Sequence, residues 1–286
     1  MIKQSKWENG FLGSSDAYDE ADIVIVGAPM DYTVSYRPGT RFGPQSIREA
    51  SYSIEEYSPY LDKDLNSIRF FDYGDLILPF GDVEGSLGII QRAAADILKD
   101  NKKPLFIGGE HLVSAPIVHS VYDKYNDELY VVHFDAHADL RDEFFGGKNS
   151  HACAVRRMTD FLNPTHIYQF GIRSGAKEEF EYAALYTHMY KFDVLEPLKA
   201  CLDELKGKPV YVTLDIDVVD PASANGTGTP EPGGCSSKEI IGAIHAMQGL
   251  NIVGFDIVEV SPNYDLSNRT AILAAKIIRE ALLALL

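Results

Sequence analysis

The sequence predicts an α/β fold built on a mainly parallel β-sheet with helices on both faces. Three observations lead there. Eight short runs rich in β-branched or aromatic residues recur, at 22–27, 68–72, 104–108, 129–134, 166–171, 189–192, 209–215 and 252–257. Stretches of helical period lie between several of them, and strand–helix alternation is the pattern of parallel sheets. Chemically loaded residues stand just after the apolar runs, where such sheets bind ligands.

The elements follow in order. The first run precedes Ser35-Tyr36-Arg37-Pro38-Gly39-Thr40-Arg41-Phe42-Gly43-Pro44. Pro44 suits the first turn of a helix, and the segment reads either as turn punctuation or as active-site wall. In 85–100, Leu87, Ile90, Ala94, Ile97 and Leu98 form a helical stripe. Leu105-Phe106-Ile107 leads into Gly108-Gly109-Glu110-His111, and Val131-Val132-His133-Phe134 into Asp135-Ala136-His137-Ala138-Asp139. Tyr211-Val212-Thr213-Leu214 leads into Asp215-Ile216-Asp217, and Gly254-Phe255-Asp256-Ile257-Val258 into Glu259. A last stripe, Ile272, Leu273, Ile277, Leu282 and Leu283, marks a C-terminal helix. No repeat, low-complexity tract or linker interrupts the pattern, so residues 1–286 read as a single domain.

Bulk properties narrow the function. Apolar residues make up 45% and charged residues 24%, ordinary for a globular chain. The net charge of −16 repels nucleic acid and anionic membranes and suits a cationic substrate or a metal. Residues 1–20 are polar and lack the apolar core of a signal peptide. No run of about eighteen apolar residues is present to span a membrane. Cys153, Cys201 and Cys235 are odd in number and have no C-x-x-C spacing. They form no disulfide framework or zinc knuckle, and free thiols point to a cytoplasmic location.

The segment 131–140 carries the chemistry. Side chains alternate along a strand, so Asp135, His137 and Asp139 would share a face if the strand continued. Such groups repel one another unless something positive sits between them, and a divalent metal fits. His133 has the same parity but lies deeper, and reads as a satisfied core histidine. With His111, Asp215 and Asp217 the candidate donors number six, too many for one catalytic ion that keeps an open position. Two ions bridged by two carboxylates use them better, about 3.5–4 Å apart with a hydroxide between them. Four carboxylates, two imidazoles and no thiolate form a hard donor set that favours manganese over zinc.

These motifs reach a known family. Gly108-Gly109-Glu110-His111, Asp135-Ala136-His137-Ala138-Asp139 and Asp215-Ile216-Asp217-Val218-Val219-Asp220-Pro221 resemble the three signatures of the ureohydrolases, the arginase and agmatinase family. The resemblance runs from about residue 22 to the C-terminus. Segments 225–234 and 255–262 look like the agmatinase branch. The resemblance implies a three-layer α/β/α fold with an eight-stranded sheet, a binuclear manganese site, and a homotrimer or homohexamer. It also implies hydrolysis of the guanidinium of agmatine to putrescine and urea. One ion would take His111, Asp135, Asp139 and Asp215, and the other Asp135, His137, Asp215 and Asp217.

The chemistry has its own logic. A guanidinium stays protonated near neutrality and its carbon is a poor electrophile, so a hydroxide activated by metal is needed. A carboxylate best fixes the substrate's charge, and Glu259 is the candidate, as the resemblance also implies. Asp139 is placed to pass a proton to the leaving amine. His151 matches the family's pocket-mouth histidine, and its titration range suits a proton shuttle. Thr229 is a candidate for lining the guanidinium pocket. His119, His166, His188 and His245 have no partners in sequence and read as structural. Two positions depart from the family pattern: Glu110 stands where many relatives have Asp, and Cys153 where they carry a small residue or Ser/Thr.

Several readings stay open beside agmatine hydrolysis. Within the chemistry they are guanidinobutyrase, arginase and formimidoylglutamase. Outside it is a non-catalytic metal-binding relative, against which the full donor set and Glu259 argue. A single-metal zinc deacetylase would not need both Asp215 and Asp217. Substrate choice turns on the loop 140–150. Phe144 and Phe145 offer apolar wall, and Asp142 and Glu143 repel a carboxylate. Arg141, Lys148 or Asn149 would favour a carboxylate-ended substrate if one turned inward.

Overall fold

The computed structural model describes residues 10–15 and 17–286. Half of the N-terminal stretch read as lacking a signal peptide, residues 1–9 and 16, therefore lies outside the described residues.

The chain runs β1 (Ile23–Ala28), α1 (Gly43–Ser51), β2 (Tyr57–Ser58), β3 (Lys63–Asp64), β4 (Phe70–Asp75), α2 (Val83–Lys99), β5 (Lys103–Gly108), α3 (Ser114–Tyr125) and β6 (Tyr130–Phe134). It continues through α4 (Ala154–Met158), β7 (Ile167–Ile172), α5 (Lys177–Tyr186), β8 (His188–Lys191), α6 (Leu195–Leu205), β9 (Pro209–Asp215), α7 (Ser237–Ala246), β10 (Asn251–Val258) and α8 (Arg269–Ala284). Eight strands form one sheet in the order β4-β1-β5-β10-β9-β6-β7-β8. Every pairing in it is parallel. All eight apolar runs of the sequence are strands of this sheet. The antiparallel pair β2–β3 was not foreseen, because two-residue strands leave no periodicity to read.

Layering follows from the two-residue period of the strands. In β1, Ile23 and Ile25 join a core with Ile47 of α1, Leu198 of α6, Ile240 of α7 and Ile277 of α8. Their neighbours Val24 and Val26 join the other core, with Ile90 of α2, Ile117 of α3 and Val155 of α4. Because both faces are covered, the central β9 is buried along its whole length and reads as a continuous apolar run rather than an alternating one. The result is the expected three-layer α/β/α fold.

Helix starts match their local chemistry. Pro44 occupies the first turn of α1. α2 begins two residues before the expected position because the Asp82 carboxylate caps it, accepting from Gly85 N at 2.9 Å. Among the described residues no helix is long and apolar enough to cross a membrane.

Candidate active site

β5, β10, β9 and β6 are neighbours in the sheet, and the residues at their carboxyl ends meet. His111 follows β5, Glu259 follows β10, Asp215 ends β9, and Asp135 follows β6. The expected face-sharing along a continued strand is not what aligns Asp135, His137 and Asp139. β6 stops at Phe134, and the next residues form a loop tied by hydrogen bonds. His137 N donates to Asp135 Oδ1 at 2.6 Å, Ala136 N to Asp217 Oδ1 at 3.1 Å, and Ala138 N to Ser174 O at 3.1 Å. Asp139 sits in the left-handed region with φ 52°, and Glu259 does likewise with φ 66°. Non-glycine residues are uncommon there, and such backbone concentrates at functional sites.

The donor atoms converge closely. His111 Nδ1 lies 2.9 Å from Asp135 Oδ2, 3.2 Å from Asp139 Oδ2 and 3.4 Å from Asp215 Oδ2. It is nevertheless a buried nitrogen without a hydrogen-bond partner. His137 Nδ1 is 3.0 Å from Asp217 Oδ2 and 3.5 Å from Asp135 Oδ1. Donors at about 2.1 Å from an ion and at right angles stand about 3 Å apart, so these spacings fit residues that share metal ions. Asp135, Asp139, Asp215 and Asp217 are all buried. Burial, then the charges of Asp217 and Asp135, push the Asp215 carboxyl well up. Burial opposes protonation of His111, but Asp135, Asp139 and Asp215 outweigh it and raise its pKa. A cluster that shifts its own members this way lacks positive charge, which a divalent ion would supply.

His133 lies within reach of the same ion-holding group as His111 and Asp135, but protein groups engage both of its ring nitrogens. Gln169 Nε2 donates to His133 Nδ1 at 3.1 Å, which leaves Nε2–H to donate to Asp135 Oδ2 at 2.8 Å. Both ring nitrogens are used, as expected of a satisfied core histidine. Its contact with Asp135 gives it the further task of orienting that carboxylate.

Glu259 and His151 stand beside the cluster. Glu259 is buried, accepts from His111 N at 2.8 Å, and its carboxyl is pushed well up by burial. His151 Nδ1 is 3.9 Å from Glu259 Oε1, and His151 Nε2 is 3.1 Å from Ser35 Oγ. Burial lowers the His151 imidazole. A short relay fixes its backbone: His151 N donates to Thr33 Oγ1 at 2.9 Å, and Thr33 Oγ1 donates to Glu110 Oε1 at 2.7 Å. Glu110 also accepts from Tyr32 N and Thr33 N. The glutamate at this position is therefore an anchor for the loop that carries Thr33. Only glycine fits at position 109, because a Cβ there would come within 1.9 Å of Met30 O.

A cavity of about 220 Å³ opens over the cluster. His111, His137, Asp139, Asp215, His151 and Thr229 line it, together with Ser35 from the segment after β1. Thr229 Oγ1 lies 3.5 Å from Asp217 Oδ2. Cys153 is fully buried and is not among the lining residues. Sequence reasoning missed Ser174, Gly175 and Glu179, which also line the cavity. Ser174 and Gly175 follow β7 directly, so the strand-end rule pointed at them, but neither is a metal-ligand type; Glu179 is a carboxylate that lies in α5, seven residues past the strand. Arg141 does turn inward. Its guanidinium lies 4.8 Å from the Phe144 ring centroid, and its Nε is 3.4 Å from Glu179 Oε2. The histidines read as structural lie elsewhere: His119 stacks on Phe161, His166 on Tyr130 and His188 on Tyr168, while His245 bonds Glu280.

Known proteins share this design. The profile of the arginase family matches residues 21–284. The chain is 52% identical over 276 residues to the agmatinases of Bacillus anthracis and Bacillus subtilis, covering 96% of this chain and 95% of theirs. It also matches the solved agmatine ureohydrolase of Thermoplasma volcanium, with 34% identity and a TM-score of 0.89, covering 98% of this chain and 94% of that one. With sheet order, strand-end residues and full-length similarity in agreement, the chain belongs to the arginase family of ureohydrolases, on its agmatinase branch.

Proposed function

We propose that this protein hydrolyses the guanidinium group of agmatine to putrescine and urea, using two Mn²⁺ ions per chain. The observation that carries the reading is the meeting of His111, Asp135, His137, Asp139, Asp215 and Asp217 beneath one cavity, with Glu259 alongside. His111, Asp135, Asp139 and Asp215 would hold one ion, and Asp135, His137, Asp215 and Asp217 the other. When bound, the ions lower the pKa of water and so supply the nucleophile at neutral pH.

The chain's own residues do the rest. Glu259 accepts hydrogen bonds from the substrate guanidinium and fixes its carbon over the cluster. The oxygen of water bonds to that carbon, and the bond from carbon to the alkyl nitrogen breaks. Asp139 takes the proton released from water and passes it to the departing nitrogen, which leaves as the amine. His151, neutral near pH 7 because burial lowers it, relays protons between this point and the cavity mouth. Thr229 lines the wall near Asp217.

Agmatine is preferred because the agmatinases named above resemble this chain over nearly its whole length. The inward Arg141 favours a second reading, a guanidino acid such as guanidinobutyrate, whose carboxylate it would attract. Glu179 beside it offsets that charge and suits the ammonium end of agmatine. Urea release from agmatine, arginine and guanidinobutyrate, each at the same subsaturating concentration with Mn²⁺ present, decides between them. Agmatine is expected to be fastest, and a faster guanidino acid overturns the choice of substrate. The same reading makes the chain one cytoplasmic ureohydrolase domain that assembles as a homotrimer or homohexamer, which sedimentation mass checks.

A further inference from the structure

A chain of buried hydroxyls connects His111 to a carboxylate that the reaction does not use. His111 Nε2 lies 3.0 Å from Thr213 Oγ1, and Thr213 Oγ1 lies 2.7 Å from Asp256 Oδ1. Asp256 also accepts from Ser114 Oγ at 3.0 Å and from Tyr211 OH at 2.7 Å. His111, Thr213, Ser114, Tyr211 and Asp256 are all buried.

Thr213 Oγ1 also lies 3.2 Å from Ser114 Oγ, and with Asp256 ionised the proton count sets the direction of the chain to His111. A threonine hydroxyl has one proton to give, and an ionised carboxylate can only accept. Thr213 therefore donates to Asp256, at the shorter distance expected of a charged acceptor. Only lone pairs remain on Thr213 Oγ1 for the ring, so His111 Nε2 must carry the hydrogen. In the neutral imidazole the free lone pair is then on Nδ1, the atom facing Asp135, Asp139 and Asp215. Nδ1 has no hydrogen-bond partner in the protein, which is the state a metal ligand requires.

We infer that Thr213 and Asp256 are positioning residues for the ion assigned to His111, holding its imidazole in the Nε2–H tautomer with Nδ1 turned to the cluster. The inference rests on the two-ion reading above. Thr213 falls within an apolar strand and Asp256 within the strand before Glu259, so neither stands at a strand end where ligands were sought. Partners of this kind typically change metal affinity 10–100-fold, roughly, when removed.

The test compares wild type with Thr213→Val, Thr213→Ser and Asp256→Asn. Each chelated protein is dialysed against graded free Mn²⁺, bound metal per chain is measured, and the melting temperature of the metal-free form is recorded. Thr213→Val is expected to weaken one of the two ions by roughly 10–100-fold while the other binds as in wild type and metal-free melting stays near wild type. Thr213→Ser keeps the hydroxyl and should restore both ions. Asp256→Asn should weaken the same ion and supplies the test if Thr213→Val fails to fold. Wild-type binding of both ions by Thr213→Val overturns the inference. So does equal weakening of both ions with a fall in metal-free melting that Thr213→Ser does not rescue. Wild-type protein that takes up no Mn²⁺ overturns the metal-centre reading itself.

Discussion

Between α1 and β4, the Arg48 guanidinium bonds Asp72 at 2.7 and 2.9 Å and also pairs with Asp75. At the strand ends, Asp135, Asp139, Asp215 and Asp217 face His111 and His137 at similar distances. Both clusters are buried, yet they are built differently. The first contains a permanent cation, and Phe11 N and Gly74 N also donate to Asp72. The second has four carboxylates, two weak bases and an orphaned Nδ1, beneath a cavity that reaches solvent. A closed cluster neutralises itself and holds elements together, whereas an acid-rich open one awaits a cation from outside. Another closed cluster underlies α8, where Glu280 accepts from Ser58, His245 and Arg279.

Substitutions separate the two designs. Asp215→Asn removes a carboxylate shared between the proposed ions and should abolish metal binding and turnover together. Two ions per chain by elemental analysis would refute that sharing. Arg48→Met strands Asp72 and Asp75 without their cation and should cost roughly 3–5 kcal/mol of stability. Manganese stoichiometry, measured on the fraction that stays folded, should not change, and a loss of metal there would erase the distinction between the clusters. Glu259→Gln should keep both ions and lose roughly 2–5 kcal/mol in kcat/KM; near-normal kcat/KM would make Glu259 an ordinary buried acid.

The smallest expected effect carries a pH signature. Burial alone would raise the Glu280 carboxyl, but Arg279, His245 and Ser58 outweigh it and hold it below its ordinary value. A depressed carboxyl contributes stability above its unfolded pKa, about 4.3, and loses it as pH falls through the folded value. Glu280→Gln should therefore cost about 1.5–3 kcal/mol near neutrality, and its melting curve should approach wild type as the pH drops below that range. A gap independent of pH would mean the glutamate acts through packing alone.

Local signals account for what was legible. The inner strands were readable because a sheet buried on both faces makes each an apolar run bounded by turn residues, while the exposed edge strand β8 was readable only from its aromatic content. The candidate donors were readable because each stands within five residues of a strand's end, where chain order places it without tertiary information. The route by which Asp139 joins them was misjudged, since a strand's alternation was extended over a loop with left-handed backbone. Glu179 and Ser174 escaped notice because a cavity wall is assembled from segments distant in sequence, whereas Ser35 lies in the segment read as turn or active-site wall.

The sequence by itself determined the strands and helices, the excess of acid and the donor set, because burial periodicity and residue chemistry are local properties. Only the tertiary structure decided that β5, β10, β9 and β6 lie side by side, that Arg141 turns inward against Glu179, and that Asp256 reaches His111 through Thr213. Those facts depend on strand order and rotamers, which are set by packing between segments far apart in sequence, as with His111 and Glu259, for which the separation is 148.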